Sequence, residues 1–126
     1  MKQGALKLKL QLVCGELFAL GPGKADLLDA IEAQGSISAA GRALGMSYRR
    51  AWLLVDEVNR CFKDPLVETL RGGGRERGAR LTEAGRAVLA DYRALEEQAA
   101  SVMRGTPYAR LAARLRSAPQ AADPTD

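Results

Sequence analysis

The stretch SISAAGRALGMSYRRAWLLV, which starts at Ser36, restricts the fold more than any other segment of this chain. Ser36 and Ser38 offer N-cap hydroxyls for a first helix, and Ser47 offers one for a second. Gly41 allows the two helices to approach closely, and Gly45 provides a left-handed residue where the first helix must stop. These features predict a helix-turn-helix, although a generic helical hairpin would also use caps and small residues.

Positive charge is concentrated around this stretch. The 126 residues carry a net charge of +4, which is too small to identify a partner by itself. Between residues 42 and 80, however, nine lysine and arginine residues outnumber five aspartate and glutamate residues. A chain of this length forms one small domain. The local excess favours a polyanionic partner such as a nucleic acid.

The composition argues against an enzyme or a metal protein. The sequence contains no histidine, which removes the commonest general base. Cys14 and Cys61 lie far apart in the sequence and form no CxxC, so they predict neither a zinc site nor a thioredoxin motif. We expect two free thiols in a reducing compartment, with no catalytic residue, metal or cofactor. Asp26, Asp29 and Glu32 are expected on an exposed helix, where they keep the surface soluble.

The apolar pattern changes along the first third of the chain. Leucines at positions 6, 8, 10 and 12 alternate with polar residues, which predicts a half-buried strand. Residues 16–20 are expected to return as its hairpin partner. Residues 24–34 have apolar residues at helical spacing and predict a helix that stops at Gly35. No segment reaches the roughly 18 apolar residues of a membrane span, so a cytoplasmic location is predicted.

The residues after the helix pair predict a wing. Asp64 and Pro65 should end the second helix of the motif, because the residue before proline avoids the helical region. Residues 65–70 and 79–81 have the composition of strands, and the basic segment RGGGRERGAR at residues 71–80 joins them. The pattern predicts two strands with a mobile basic loop, and a flexible linker is the alternative.

The last long helix is predicted over residues 83–103, with Thr82 as its N-cap. An apolar stripe of near-heptad spacing along it predicts pairing with a second copy of the chain, and ordinary core contact is the alternative. The predicted dimer interface consists of Val88, Tyr92, Leu95, Ala99 and Val102.

The predicted fold is mainly α with a small β-sheet. It is a winged helix-turn-helix with an N-terminal β-hairpin and a long C-terminal helix. Residues 1–103 are expected to form this DNA-binding domain, with residues 82–103 as its dimerisation helix. Residues 104–126 are expected to form a C-terminal tail that is partly disordered, with a turn or two of weak amphipathic helix after Arg104.

The second helix of the motif separates into two faces at 100° per residue. Ala51, Val55, Val58 and Phe62 share the face that should contact the core. A helix in the major groove presents its N-terminal residues to base edges, which makes the opposite face the candidate for DNA contacts. Trp52 is expected either to pack against the wing or to contact DNA. The complete predicted DNA-binding set is Ser36, Ser47, Tyr48, Arg49, Arg50, Trp52, Arg71, Arg75 and Arg77.

The order of elements resembles the N-terminal DNA-binding domain of the ModE family of molybdate-responsive transcriptional regulators. The most specific segments are GSIS at residues 35–38, GMSYRRAW at residues 45–52 and LVETLRGGGRERGARLTEAG at residues 66–85. The helix pair and wing also look like those of LysR-type regulators. The resemblance implies a winged helix that dimerises through its helices and binds palindromic double-stranded DNA. Full-length members carry further, molybdate-binding domains that this chain does not reach, so we expect no molybdate binding in this chain.

These observations together predict a dimeric, sequence-specific transcriptional regulator, which the resemblance links to molybdenum-related genes. A second hypothesis is a winged-helix module that contacts a protein and binds no operator. Salt dependence separates the two, because phosphate contacts release counterions and weaken steeply with added salt, whereas an apolar protein contact does not.

Overall fold

The computed structural model describes residues 2–70 and 78–124, and within them the chain is mainly helical with three two-stranded antiparallel sheets. The strands are β1 (Lys2–Gln3), β2 (Leu6–Lys7), β3 (Leu12–Cys14), β4 (Leu17–Leu20), β5 (Val67–Leu70) and β6 (Gly78–Leu81). The helices are α1 (Pro22–Gln34), α2 (Ile37–Ala43), α3 (Tyr48–Cys61), α4 (Glu83–Ala100) and α5 (Thr106–Arg114), with a 3₁₀ helix at Ser101–Arg104 between the last two.

The N-terminal strands form two hairpins, so the prediction of one strand through the alternating leucines is wrong. β1 pairs with β2, and β3 pairs with β4. Residues 8–11 lie between the hairpins and belong to no strand. The alternation is present in the sequence, but β4 is only four residues long and pairs with β3 alone, so the middle of the segment has no strand to pair with.

α1 begins two residues before the predicted start, because Pro22 occupies its first turn, where the missing N–H has no partner to lose. The helix ends at Gly35, as predicted, in the left-handed conformation with φ of 80°. Its inner face contributes the centre of the hydrophobic core. The most deeply buried large residues of that core are Leu20, Leu27, Leu28, Ile31, Ile37, Val58, Leu66 and Leu81.

α2 and α3 form the predicted helix-turn-helix. Ser36 caps α2 by accepting a hydrogen bond of 3.1 Å from a backbone N–H in the first turn, while Ser38 lies inside the helix and is not a cap. Gly45 in the turn has a φ of 71°, as expected. A Cβ atom on Gly41 would lie 2.9 Å from the Cβ of Ala51, so the close approach of the two helices requires glycine there.

α3 buries Ala51, Leu54, Val55 and Val58 and ends at Cys61, before the predicted stop at Pro65. The next residue, Phe62, is already extended and only half-buried. Proline therefore does not end this helix. The buried face agrees with the prediction except that Leu54 replaces Phe62 as its fourth member.

The two wing strands pair as predicted, and a side chain that the sequence did not single out holds them against α3. The side-chain oxygen of Asn59 accepts hydrogen bonds from the backbone N–H groups of Leu66 and Val67 at 2.9 and 3.1 Å. Its amide donates to the carbonyl of Val67 at 3.0 Å. On the other side, the N–H of Ala79 donates to the carbonyl of Gly35 at 2.8 Å, which joins the wing to the end of α1.

α4 buries a face that only partly overlaps the predicted stripe. Tyr92 is 3% exposed, and its hydroxyl donates a hydrogen bond of 2.8 Å to the carbonyl of Leu10. Tyr92 therefore belongs to the core of its own chain and not to the exposed stripe in which the sequence pattern placed it. The residues that α4 buries are Gly85, Leu89, Tyr92, Glu96 and Ala100.

α4 ends at Ala100, three residues before the predicted end, where the chain tightens into the 3₁₀ helix. α5 then occupies part of the segment predicted as a tail, and the Tyr108 hydroxyl accepts a hydrogen bond of 3.1 Å from the N–H of Ala5. Within the described ranges, no helix combines the length and apolarity needed to cross a membrane.

Arg93 joins α4 to α1. Its guanidinium donates hydrogen bonds to Asp29 at 2.6 Å, to Glu96 at 2.8 Å and to Asp26 at 3.0 Å. Burial opposes the charged form, but the hydrogen bonds to Asp29, Glu96 and Asp26 outweigh it and raise the pKa of Arg93. The expectation that Asp26 and Asp29 only keep the surface soluble is therefore wrong.

Glu32 also has a structural role. One of its carboxylate oxygens accepts a hydrogen bond of 3.2 Å from the N–H of Leu81, and the other lies 3.6 Å from the Arg86 guanidinium. The acidic face of α1 thus holds the wing and α4 in place around the helix pair.

Candidate nucleic-acid interface

The N-terminus of α3 is exposed at the surface of the helix pair. Ser47 caps it by accepting a hydrogen bond of 3.1 Å from the backbone N–H of Arg50. Tyr48, Arg49 and Arg50 follow in the first turn, and all three are exposed. The positive end of the helix dipole and two arginines therefore point out of the protein at one place, which suits a phosphate or a base edge.

The arginines at this end of α3 have no acidic partner among the described residues, unlike Arg60, Arg80, Arg86 and Arg93. Neither Arg49 nor Arg50 forms an ion pair with any residue that the structure describes. By contrast, Arg60 near the other end of the same helix pairs with Asp56 at 2.9 Å. The charge of the N-terminal pair is thus available to an external anion.

Two further residues lie beside this surface and were not in the predicted set. Leu53 is 48% exposed, one turn after Arg49 and Arg50 on the outer face of α3. Arg42 lies exposed in the last turn of α2, also without an ion pair among the described residues. An apolar residue at Leu53 could contact a thymine methyl group. The sequence signal that could have identified Leu53 is its position as a leucine on the charged face of an amphipathic helix.

Trp52 packs against the hydrophobic core and is only partly exposed. Its ring lies 6.0 Å from that of Tyr48, at an angle of 60°. The indole N–H is buried and has no hydrogen-bond partner among the described residues. This N–H group cannot donate a hydrogen bond to DNA unless the side chain moves. Trp52 instead packs beside the ring of Tyr48 and supports it.

Ser36 and the base of the wing lie next to each other. The hydroxyl of Ser36 already caps α2, and the residue before it, Gly35, accepts the hydrogen bond from Ala79 of β6. A Cβ on Gly78 would lie 3.4 Å from the same Gly35 carbonyl, so β6 passes very close to this turn. The start of α2 and the wing therefore form one continuous edge.

The wing arginines Arg71, Arg75 and Arg77 lie outside the described residues. The strands on either side of them are described, and they pair from Val67 opposite Leu81 to Leu70 opposite Gly78. Arg80 on β6 pairs with Glu68 on β5 at 2.6 Å, so this arginine is partly neutralised.

An exposed apolar stripe runs along α4 and into the 3₁₀ helix that follows it, and we call Val88, Leu95, Ala99 and Val102 the α4 stripe. Leu95 is 43% exposed and Val102 is 53% exposed, while Val88 and Ala99 are half-buried. An open groove of about 380 Å³ extends it past Val88 toward the end of α3, lined by Phe62, Leu66 and Ala84 as well.

The two helices pack closely, and the exposed N-terminus of the second helix carries two arginines beside a wing. Winged helix-turn-helix proteins use this architecture to place one helix in the major groove of DNA. The chain is a DNA-binding protein of this class. Residues 24–86, which are half of the chain, match the lysR family of bacterial regulatory helix-turn-helix proteins, and the chain belongs to that family.

Two relatives refine this assignment. ModE of Azotobacter vinelandii, named a molybdenum transport protein, is 42% identical over 78 residues, which are 62% of this chain and 29% of that protein. ModE of Escherichia coli K12, named a DNA-binding transcriptional dual regulator, is 39% identical over 87 residues, which are 69% of this chain and 32% of that protein. The chain spans less than a third of either relative and carries a ModE-like N-terminal DNA-binding domain.

A solved structure supports the same conclusion. The DNA-binding domain of CbnR, crystallised in complex with DNA, is similar with a TM-score of 0.53 and 28% identity, over 73% of this chain and 97% of that one. The fold and family are those of transcription regulators that bind double-stranded DNA. They favour this function over the hypothesis of a protein-interaction module and over an enzyme.

Proposed function

We propose that the chain regulates transcription as a homodimer that recognises a palindromic operator. In this proposal the first turn of α3 enters the major groove, and Arg49 and Arg50 contact base edges. The observation that carries it is the exposed pair of arginines at a capped helix N-terminus, neither of which forms an ion pair with a described residue. An arginine can donate two hydrogen bonds to one guanine, and this bidentate contact discriminates between bases.

The other residues position the protein on the duplex. Ser47 and Ser36 lie at helix N-termini, where a phosphate oxygen is favourably bound. Tyr48 is 65% exposed and supported by Trp52, so it can reach the sugar-phosphate backbone beside α3. The wing arginines add contacts that do not depend on sequence.

The proposed dimer is held together by the α4 stripe. Leu95 on α4 and Val102 in the following 3₁₀ helix are exposed apolar residues, and the other face of α4 is already buried in the core. Pairing two copies would remove this surface from water and place two reading helices on one face of the DNA, about one helical turn apart. A two-fold dimer of this kind matches a palindromic site.

The relatives named for molybdenum transport make genes of molybdenum metabolism the proposed targets. Recovering and sequencing the genomic DNA bound by the protein tests this directly, because enrichment should fall beside genes for molybdate uptake. The absence of molybdate binding in this chain stays a prediction.

Arg49→Ala is expected to weaken binding to the best operator by about 1–3 kcal/mol, which corresponds to about 5- to 150-fold in affinity, because a bidentate base contact is lost. Random DNA should lose much less. Fluorescence anisotropy with both duplexes at one salt concentration measures the two losses. Arg50→Ala should be compared in the same way.

Arg60→Ala is the matched control for this experiment. It removes the same charge from the same helix about 16 Å further along the axis, where Arg60 is paired with Asp56. We expect little change on either duplex. An equal loss on operator and random DNA for Arg49→Ala would make Arg49 a phosphate contact and contradict its role in base reading.

Replacing Arg75 and Arg77 together with alanine is expected to weaken binding to all sequences. The slope of log affinity against log salt concentration should flatten by about 1–2 units, because one counterion contact is lost for each arginine that binds a phosphate. Titrations at four salt concentrations give the slope. If the slope is unchanged, these two arginines do not contact DNA.

A further inference from the structure

We propose that Cys14 and Cys61 form a reversible intramolecular disulfide, which makes them an oxidation site on the DNA-binding domain. The two free cysteines are 47 positions apart in the sequence, yet the Cys14 thiol lies 3.8 Å from the carbonyl oxygen of Cys61 and donates to it. The sequence correctly indicated two free thiols but not that the fold brings them together.

Both cysteines are held by ordered elements. Cys14 is the last residue of β3, beside a tight turn in which Gly15 has a φ of 59°, and Cys61 is the last residue of α3. The buried Lys24 fixes the hairpin against this helix, since its ammonium group donates to the carbonyl of Phe18 and lies 3.6 Å from the Glu57 carboxylate. The approach of the two thiols is therefore built into the packing.

An oxidant can reach both thiols, because neither cysteine is fully buried. Cys61 lines the open groove near the end of α3 together with Phe62 and Leu66, and Cys14 and Cys61 are both only half-buried. The pKa of Cys61 is raised, first by the hydrogen bond to Cys14 and then by burial. A raised pKa disfavours the reactive thiolate of Cys61, and we assign the first reaction to Cys14.

The reaction balances with a peroxide as the oxidant. The Cys14 sulfur attacks one oxygen of hydrogen peroxide, the O–O bond breaks, and a sulfenic acid and one water are formed. The Cys61 sulfur then attacks the sulfenic sulfur, the S–O bond breaks, and the disulfide and a second water are released. The two thiols lose two electrons in total, and the peroxide gains them.

The bridge would enclose the whole helix-turn-helix. The loop between Cys14 and Cys61 contains β4, α1, α2 and α3, so closing it restricts the unfolded chain strongly. We expect the midpoint of thermal unfolding to rise by at least about 5 °C on oxidation. The first turn of α3 lies at the opposite end of the helix from Cys61. The disulfide would therefore form without covering the residues that we propose contact DNA.

Peptide mapping of the purified full chain tests the proposal. Oxidation with hydrogen peroxide, blocking of remaining thiols with N-ethylmaleimide and digestion with trypsin should give residues 10–24 joined to residues 61–63. The intact protein should lose two hydrogen atoms and take up no maleimide, and a thiol reductant should reverse both changes. Two maleimide labels after oxidation, added oxygen atoms on the sulfurs, or a covalent dimer would overturn the proposal.

Cys14→Ser and Cys61→Ser provide matched variants that keep the size of each side chain. After oxidation Cys14→Ser should take up one maleimide at Cys61, whereas Cys61→Ser should stop at the oxidised Cys14 sulfur, and neither variant should show the rise in unfolding temperature. A rise of the same size in either variant would overturn the link between the bridge and stability. The mapping of the unmodified chain decides the proposal even if a variant fails to fold.

Discussion

Gly85→Ala is expected to lower the free energy of unfolding by about 3 kcal/mol or more, a large part of the total stability of a small domain. A Cβ atom at Gly85 would lie 2.1 Å from the carbonyl oxygen of Leu66. The N–H of Thr82 donates to the same carbonyl at 2.9 Å, so the chain at Leu66 is fixed against the first turn of α4 and cannot retreat cheaply. Urea unfolding monitored by circular dichroism measures the change.

Gly23→Ala is the control. Gly23 lies in the first turn of α1 with open space around its Cβ position, so alanine there should be neutral or stabilising by up to about 1 kcal/mol. A common midpoint of unfolding for the two variants would mean that α4 can move away from Leu66, contrary to the packing described above.

The helix-turn-helix could be predicted because its constraints are local. Ser36, Ser47, Gly35 and Gly45 each satisfy a requirement of a helix end, and such requirements depend on a few neighbouring residues. Gly41 also belongs here, since close packing of consecutive helices leaves a small residue in the sequence.

Contacts between distant segments could not be predicted in the same way. Asn59 and Arg93 looked like ordinary surface residues of helices, yet Asn59 holds the start of β5 and Arg93 joins α4 to α1. Tyr92 was placed on the wrong surface because a helix with apolar residues on two adjacent faces gives one broad stripe in the sequence. Which face is buried depends on the segments that pack against α4, and the Tyr92 hydroxyl contacts one of them at Leu10. The thiols of Cys14 and Cys61 meet for the same reason: their approach depends on the packing of the hairpin against α3.

The exposure of the residues at the start of α3 was predicted better than the exposure of the residues along α4. Arg49 and Arg50 follow directly from the cap at Ser47, which orients the first turn of α3 outward. Leu53 was not in the predicted DNA-binding set, although the helical spacing already places it with Arg49 on the face opposite the core, where it is 48% exposed.

The proposed dimer leads to the second large effect. Leu95→Glu is expected to give a folded monomer whose operator affinity is reduced about 100-fold or more, because each half-site must then be bound without a linked neighbour. Leu95 is 43% exposed at the middle of the α4 stripe, so the charge should not disturb the core of the chain. In a dimer it would be buried opposite a second copy of itself, where two like charges without partners are strongly unfavourable.

Ala90→Glu places the same charge on an exposed position of the same helix, on the side away from the α4 stripe, and it should leave both assembly and affinity unchanged. Light scattering at tens of micromolar protein gives the assembly state, and anisotropy with a whole operator and a single half-site gives the affinity. Leu95→Glu should reduce binding to the whole operator but hardly change binding to the half-site, because the reading surface on α3 is intact. Equal losses on both duplexes, or a wild-type protein that is already monomeric at these concentrations, would contradict pairing through α4.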